Sequence, residues 1–159
     1  MKNRIAFIIL LIGLIKSGKV FSQNGLKSVE HKIIAEGTDS PIPALQIVCF
    51  NKYFNKDYLP ADFRNKYNLE DKTLYKKKIL IEIFQSDKNK KGIDKIDLVR
   101  ISENDTELII EYNVVNSDSN NDDKQLSPFL IIQVPKSKKK MKFIANGIEL
   151  GKATDIYVD

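Results

Sequence analysis

Cys49 and His31 are the only residues of their types in this chain of 159 residues. A cysteine nucleophile needs a base within hydrogen-bond reach, and His31 is the one histidine that could supply it. Cys49, however, sits in Leu45-Gln46-Ile47-Val48-Cys49-Phe50, and a free cysteine in such a run behaves as a small buried hydrophobe. We read it as core. Zinc takes three or four close ligands, mostly nitrogen and sulfur, which one Cys and one His do not provide. A single cysteine also excludes an intrachain disulfide.

The remaining chemistry would fall to carboxylates. Asp62, Asp94 and Asp97 are the acids a hydrolase would use, but nothing in their spacing pairs an acid with a base. Asp118, Asn120 and Asp122 begin like a calcium loop, with oxygens at positions one, three and five. The sixth position should be glycine and is Asp123, and the twelfth should be glutamate and is Phe129. A solvated loop is the plainer reading. Gly13-Leu14-Ile15-Lys16-Ser17-Gly18-Lys19-Val20 matches a phosphate-binding loop up to its lysine and fails at Val20, where magnesium binding needs Ser or Thr. These residues predict neither a catalytic site nor a metal or cofactor.

Two sets of residues suit binding instead. Tryptophan is absent, so aromatic contacts fall to Tyr53, Phe54, Tyr58 and Tyr67 in an irregular segment. Lysine runs occur at 76–78, at 88–91 and at 138–142. On a strand, Lys138, Lys140 and Lys142 would share one face and form a basic patch for an acidic polysaccharide or a protein partner. The plainer reading is a solvated face or a protected sheet edge.

The start of the chain sets the compartment. Lys2 and Arg4 precede an apolar run from Ile5 to Ile15, and Val20-Phe21-Ser22 offers small residues before Gln23. This is the pattern of a secretory signal peptide spanning residues 1–22. Eleven apolar residues are too few to cross a bilayer, which takes about 20. No cysteine ends the leader to take a lipid, so the expectation is a secreted or periplasmic protein with no lasting membrane anchor. The leader holds four of the 26 basic residues and no acid, which leaves 22 basic against 21 acidic residues. A net charge near +1 does not point to nucleic acid.

Residues 23–159 fit one domain with a real core. Val29 to Glu36 predicts a strand, closed by the turn residues from Gly37 to Pro43. Ala44 to Phe50 fits either a strand or one helix face, and the β-branched residues and preceding prolines favour the strand. Residues 51–75 predict a connector with one or two helical turns. Lys78 to Phe84, Ile93 to Ile101 and Thr106 to Val115 alternate as strands, with Ile79, Ile81 and Ile83 on one face of the first. Phe129 to Val134, apolar throughout except Gln133 and flanked by Pro128 and Pro135, predicts a central strand. Lys140 to Ala145 alternates again, and Asn146-Gly147 favours a two-residue hairpin turn. Short turns without βαβ spacing predict a mainly antiparallel β domain, a sandwich or partly open barrel with a short helical connector.

The order of these segments carries a resemblance. Asp62-Phe63, the Ile-rich strand, the glycine turn at Gly92 and the strands from Ile93 and Leu108 come in sequence. A polar loop follows, and then Ser127-Pro128-Phe129-Leu130-Ile131-Ile132-Gln133-Val134-Pro135-Lys136. This resembles the C-terminal domain of the PrcB-type protease-complex subunits, over residues 76–145 and more loosely over 29–75. The chain departs from that pattern at Lys91-Gly92-Ile93, with one glycine and no aromatic, and at Asn116-Ser117-Asp118. The resemblance implies a non-catalytic exported domain that accompanies a surface or secreted protease. The expectation is thus an accessory binding module. The alternatives are a secreted hydrolase using carboxylates and a weak binder of acidic polysaccharide.

Overall fold

The computed structural model describes residues 25–50, 55–87, 89–151 and 155–158. The signal peptide expected at residues 1–22, with its phosphate-loop lookalike, and Tyr53 and Phe54 lie outside these residues. The protein is mainly β, built from two mostly antiparallel five-stranded sheets with no closed barrel. One sheet joins β1 (Lys27–Ser28), β5 (Lys95–Glu103), β6 (Glu107–Val115), β8 (Lys140–Ala145) and β9 (Ile148–Glu149) in that order. The other runs β10 (Asp155–Val158), β3 (Leu45–Phe50), β4 (Lys78–Gln85), β7 (Phe129–Pro135) and β2 (Lys32–Gly37).

Alternation explains the packing between the sheets. Ile79, Ile81 and Ile83 of β4 share one core with Leu108, Ile110 and Tyr112 of β6 and with Met141 and Phe143 of β8. Cys49 belongs to that core, its Sγ 3.5 Å from Met141 Sδ. The β-branched and aromatic residues suit a pleated surface, and burying them from both sheets is what holds the sandwich together.

The second face of the β4 sheet is also covered. Leu80, Phe84, Val48, Phe129 and Ile131 pack under the connector, with Leu59, Phe63, Leu69 and Tyr75 closing over them. The connector comprises α1 (Asn55–Tyr58), α2 (Ala61–Lys66) and a 3₁₀ turn at Lys72–Tyr75, capped by the Asp71 side chain accepting from Thr73 N. Double covering is why β4 and β7 read as nearly unbroken apolar runs.

The expected elements are largely in place, with corrections. Ala44–Phe50 does contain a strand. The strand expected from Val29 starts at Lys32 instead, and a two-residue strand at Lys27–Ser28 precedes it in the other sheet, because the chain leaves one sheet at Ser28 and joins the other at Lys32. Two pairings are parallel, β6 with β8 and β3 with β10. Asn146 and Gly147 both have positive φ, 50° and 78°, as the two-residue hairpin requires. Among the described residues, no helix is long and apolar enough to cross a membrane.

Candidate functional site

At one end of the sandwich, two connections carry the chain between the sheets. Residues 29–31 link β1 to β2, and residues 136–139 link β7 to β8. The β5–β6 hairpin turns at the same end, held by Asn104 Oδ1, which accepts from the backbone N–H of Thr106 and of Glu107. Between them lies an open groove of about 770 Å³. Val29 and Pro135 supply its accessible apolar surface, over the buried Leu108. Glu30, Glu103 and Asp105 line it together with Lys136, Lys138 and Lys139. Lys139 Nζ meets Glu103 Oε2 at 2.9 Å, so this pair bridges the hairpin and the β7–β8 connection. An apolar surface with charged groups around it can take an apolar side chain while pairing the charges of a polypeptide.

The lysines expected to form a patch divide. Lys138 precedes β8 and is exposed beside the groove, so only Lys140 and Lys142 share a strand face. Lys142 is occupied by Glu149 at 2.7 Å, and that hydrogen bond raises its affinity for the proton. Arg100 pairs likewise with Glu111 at 2.7 Å, leaving the outer face of this sheet with mixed charge.

The aromatics turn inward. Tyr58 and Tyr67 are half-buried and pack onto the core beneath the connector. The Tyr67 ring lies 4.9 Å from Phe63 and 5.0 Å from Phe129. Burial pushes the Tyr58 phenol above its ordinary value, a hydrogen bond with Gln46 opposes this, and the charge of Glu82 adds to the rise. Glu82 is fully buried in the middle of β4, opposite Val48 and Ile131. It is the polar residue that alternation conceals. A strand with one solvent face would have put it in water, but the connector covers that face.

The expected carboxylates do not converge. Asp62 is exposed in the first turn of α2, on the far side of the β4 sheet. Asp94 braces the 116–121 loop, accepting from Ser117 N at 2.7 Å and from Asn121 Nδ2 at 2.8 Å. Asp97 pairs with Lys95 at 2.6 Å. In the calcium-like segment, Asp118 accepts from Asn120 N, and Asp122 accepts from the Asn116 amide. Among the described residues, no group of three or more His, Cys, Asp or Glu side chains is placed to hold a metal ion. His31 is exposed, its Nδ1 3.1 Å from the carbonyl of Val29, whereas Cys49 lies in the core. The two are not brought together.

A separate polar cluster fastens the connector. Asp39 Oδ1 accepts from the Tyr67 hydroxyl at 2.6 Å, and its Oδ2 pairs with Lys66 Nζ at 2.7 Å. Burial alone would raise the Asp39 carboxyl, but the hydrogen bonds from Lys66 and Tyr67 outweigh it and hold the group below its ordinary value of 3.8. The native state therefore binds this proton less readily than the unfolded chain does. The stabilisation is present above pH 3.8 and is lost as the pH falls through the lower native value. Asp39→Asn should lower the melting temperature at neutral pH, and the gap to the parent protein should close in acid. Thermal melts across this range measure it, and a gap that stays constant to the acid limit would contradict the assignment.

Neither the family models, nor the curated proteins, nor the solved structures include a match to this chain.

Proposed function

We propose that this chain is an exported, non-catalytic accessory module that binds a protein partner through the groove between its two sheet-to-sheet connections. The observation that carries this reading is the groove itself, which joins apolar surface from Val29 and Pro135 to charges of both signs. Interfaces of this kind combine a small apolar centre with a polar rim. The half-burial of Tyr58 and Tyr67 moves the preferred surface from the aromatic connector to this end. The leader pattern supports export. The resemblance to PrcB-type subunits supports a surface or secreted protease as the partner.

Photo-crosslinking in the native envelope tests the proposal. A photoreactive residue at Ser28 or Asp105 lines the groove, and one at Asn113 or Lys124 lies away from it. Discrete adducts are expected from the first pair only, with a protease identified in them. Equal adducts from both pairs would remove the groove as the site, and groove adducts to a protein of another class would remove the protease.

A further inference from the structure

We propose that the lysine runs at 76–78 and 136–140 form one anion-binding surface beside the groove, and that its ligand is an acidic segment of a polypeptide. This rests on the binding-module reading. The runs are far apart in the chain, and only the pairing of β4 with β7 unites them. Lys78 lies opposite Pro135, and Lys136 N donates to the carbonyl of Lys77 at 3.2 Å. Lys76, Lys77, Lys136, Lys138 and Lys140 are all exposed at this end.

The distribution of counter-charges leaves these gathered lysines available, as it also leaves Lys27, Lys32, Lys72, Lys78, Lys91 and Lys124 among the described residues. Lys66, Lys90, Lys95, Lys139 and Lys142 each have a carboxylate within 4 Å. Among the described residues, Lys76, Lys77, Lys136, Lys138 and Lys140 have none. Gathered like charges repel one another and attract an anionic partner. Lys77 also holds a left-handed backbone, with φ of 59°. That conformation is costly for a side chain with a Cβ, and such strain persists where the surrounding structure imposes it.

The groove decides the class of anion. Its apolar surface adjoins the lysines through Lys136 and Lys138, which line it. An extended segment alternating acidic and apolar residues would place carboxylates on the lysines and apolar side chains against Val29 and Pro135. Sugars and bases favour aromatic platforms, and Tyr75, the aromatic next to the first lysine run, is buried.

The test is fluorescence anisotropy of the purified exported protein with a labelled peptide of alternating Glu and Leu, with polygalacturonate as a second probe. The triple variant Lys77→Gln, Lys136→Gln and Lys138→Gln should weaken peptide binding about tenfold, and added salt should weaken the parent likewise. The matching triple to Arg should retain binding. A triple at the opposite end, Lys90→Gln, Lys91→Gln and Lys124→Gln, should leave it unchanged. No binding of the peptide by the parent, or equal loss in both Gln triples, would overturn the proposal. Polygalacturonate bound through the same lysines with the peptide ignored would make the ligand a polysaccharide and overturn it too. Groove crosslinks that survive the first Gln triple unchanged would leave the module reading standing and remove this one. Peptide binding that depends on these lysines with no crosslink in the groove would do the reverse.

Discussion

Replacing Phe63 with alanine should cost about 3–5 kcal/mol of stability, as truncation of a buried aromatic does. Phe63 is 6 % exposed and is the ring by which α2 grips the β4 sheet. Its centroid lies 5.0 Å from Phe129, 6.4 Å from Phe84 and 4.9 Å from Tyr67, so three partners lose a neighbour together. Two of these rings belong to the sheet and one to the connector. The cavity would open between layers, where a six-residue helix has little means of collapsing onto the sheet. Chemical denaturation read by circular dichroism measures the loss. A change below about 1 kcal/mol would mean that the connector contributes little to global stability.

Gly37→Val should destabilise by about 3 kcal/mol, near the upper end for overpacking. Gly37 ends β2 with an ordinary backbone, so the cost is one of space rather than of φ. A Cβ there would stand 2.8 Å from Phe129 Cε1 and 3.1 Å from both Asp39 Oδ1 and the Tyr67 hydroxyl. The Phe129 ring is 1 % exposed and packed against Phe63 and Tyr67, so it has no room to yield. The same substitution should loosen the Asp39–Tyr67 bond, and combining it with Asp39→Asn should cost less than the sum of the two. A stable Gly37→Val protein, or strict additivity, would show that this turn accommodates a side chain that the geometry denies it.

The strands were legible because a sheet with one buried face writes a period of two into the chain. Leu108, Ile110 and Tyr112 show it, and they form the inner face of β6. The Asn146-Gly147 turn was legible because few dipeptides accept two positive φ values. The break at residues 29–31 was not legible, because the chain changes sheets there without changing its local composition. Glu82 lies on the face that simple alternation would give to solvent, yet it is buried. Its neighbours Leu80 and Phe84 carried the corrective signal, since apolar residues on both faces of a strand require two covers. The groove left no local trace, because its lining comes from three separate loops.

Composition and periodicity alone determined a mainly β domain with a helical connector, a buried Cys49, and a leader-like pattern in residues 1–22 that holds four of the five net positive charges. These depend on neighbours in sequence, whose spacing decides which side of a strand is apolar. Tertiary structure decided what depends on residues distant in sequence. It paired Lys78 with Pro135 and so merged two lysine runs into one basic end. It placed Asp39 against Tyr67, sealed Glu82 beneath the connector, and kept Asp62 apart from Asp94 and Asp97. Charge acts through space, so whether a lysine is neutralised or left available is set by which strands lie side by side.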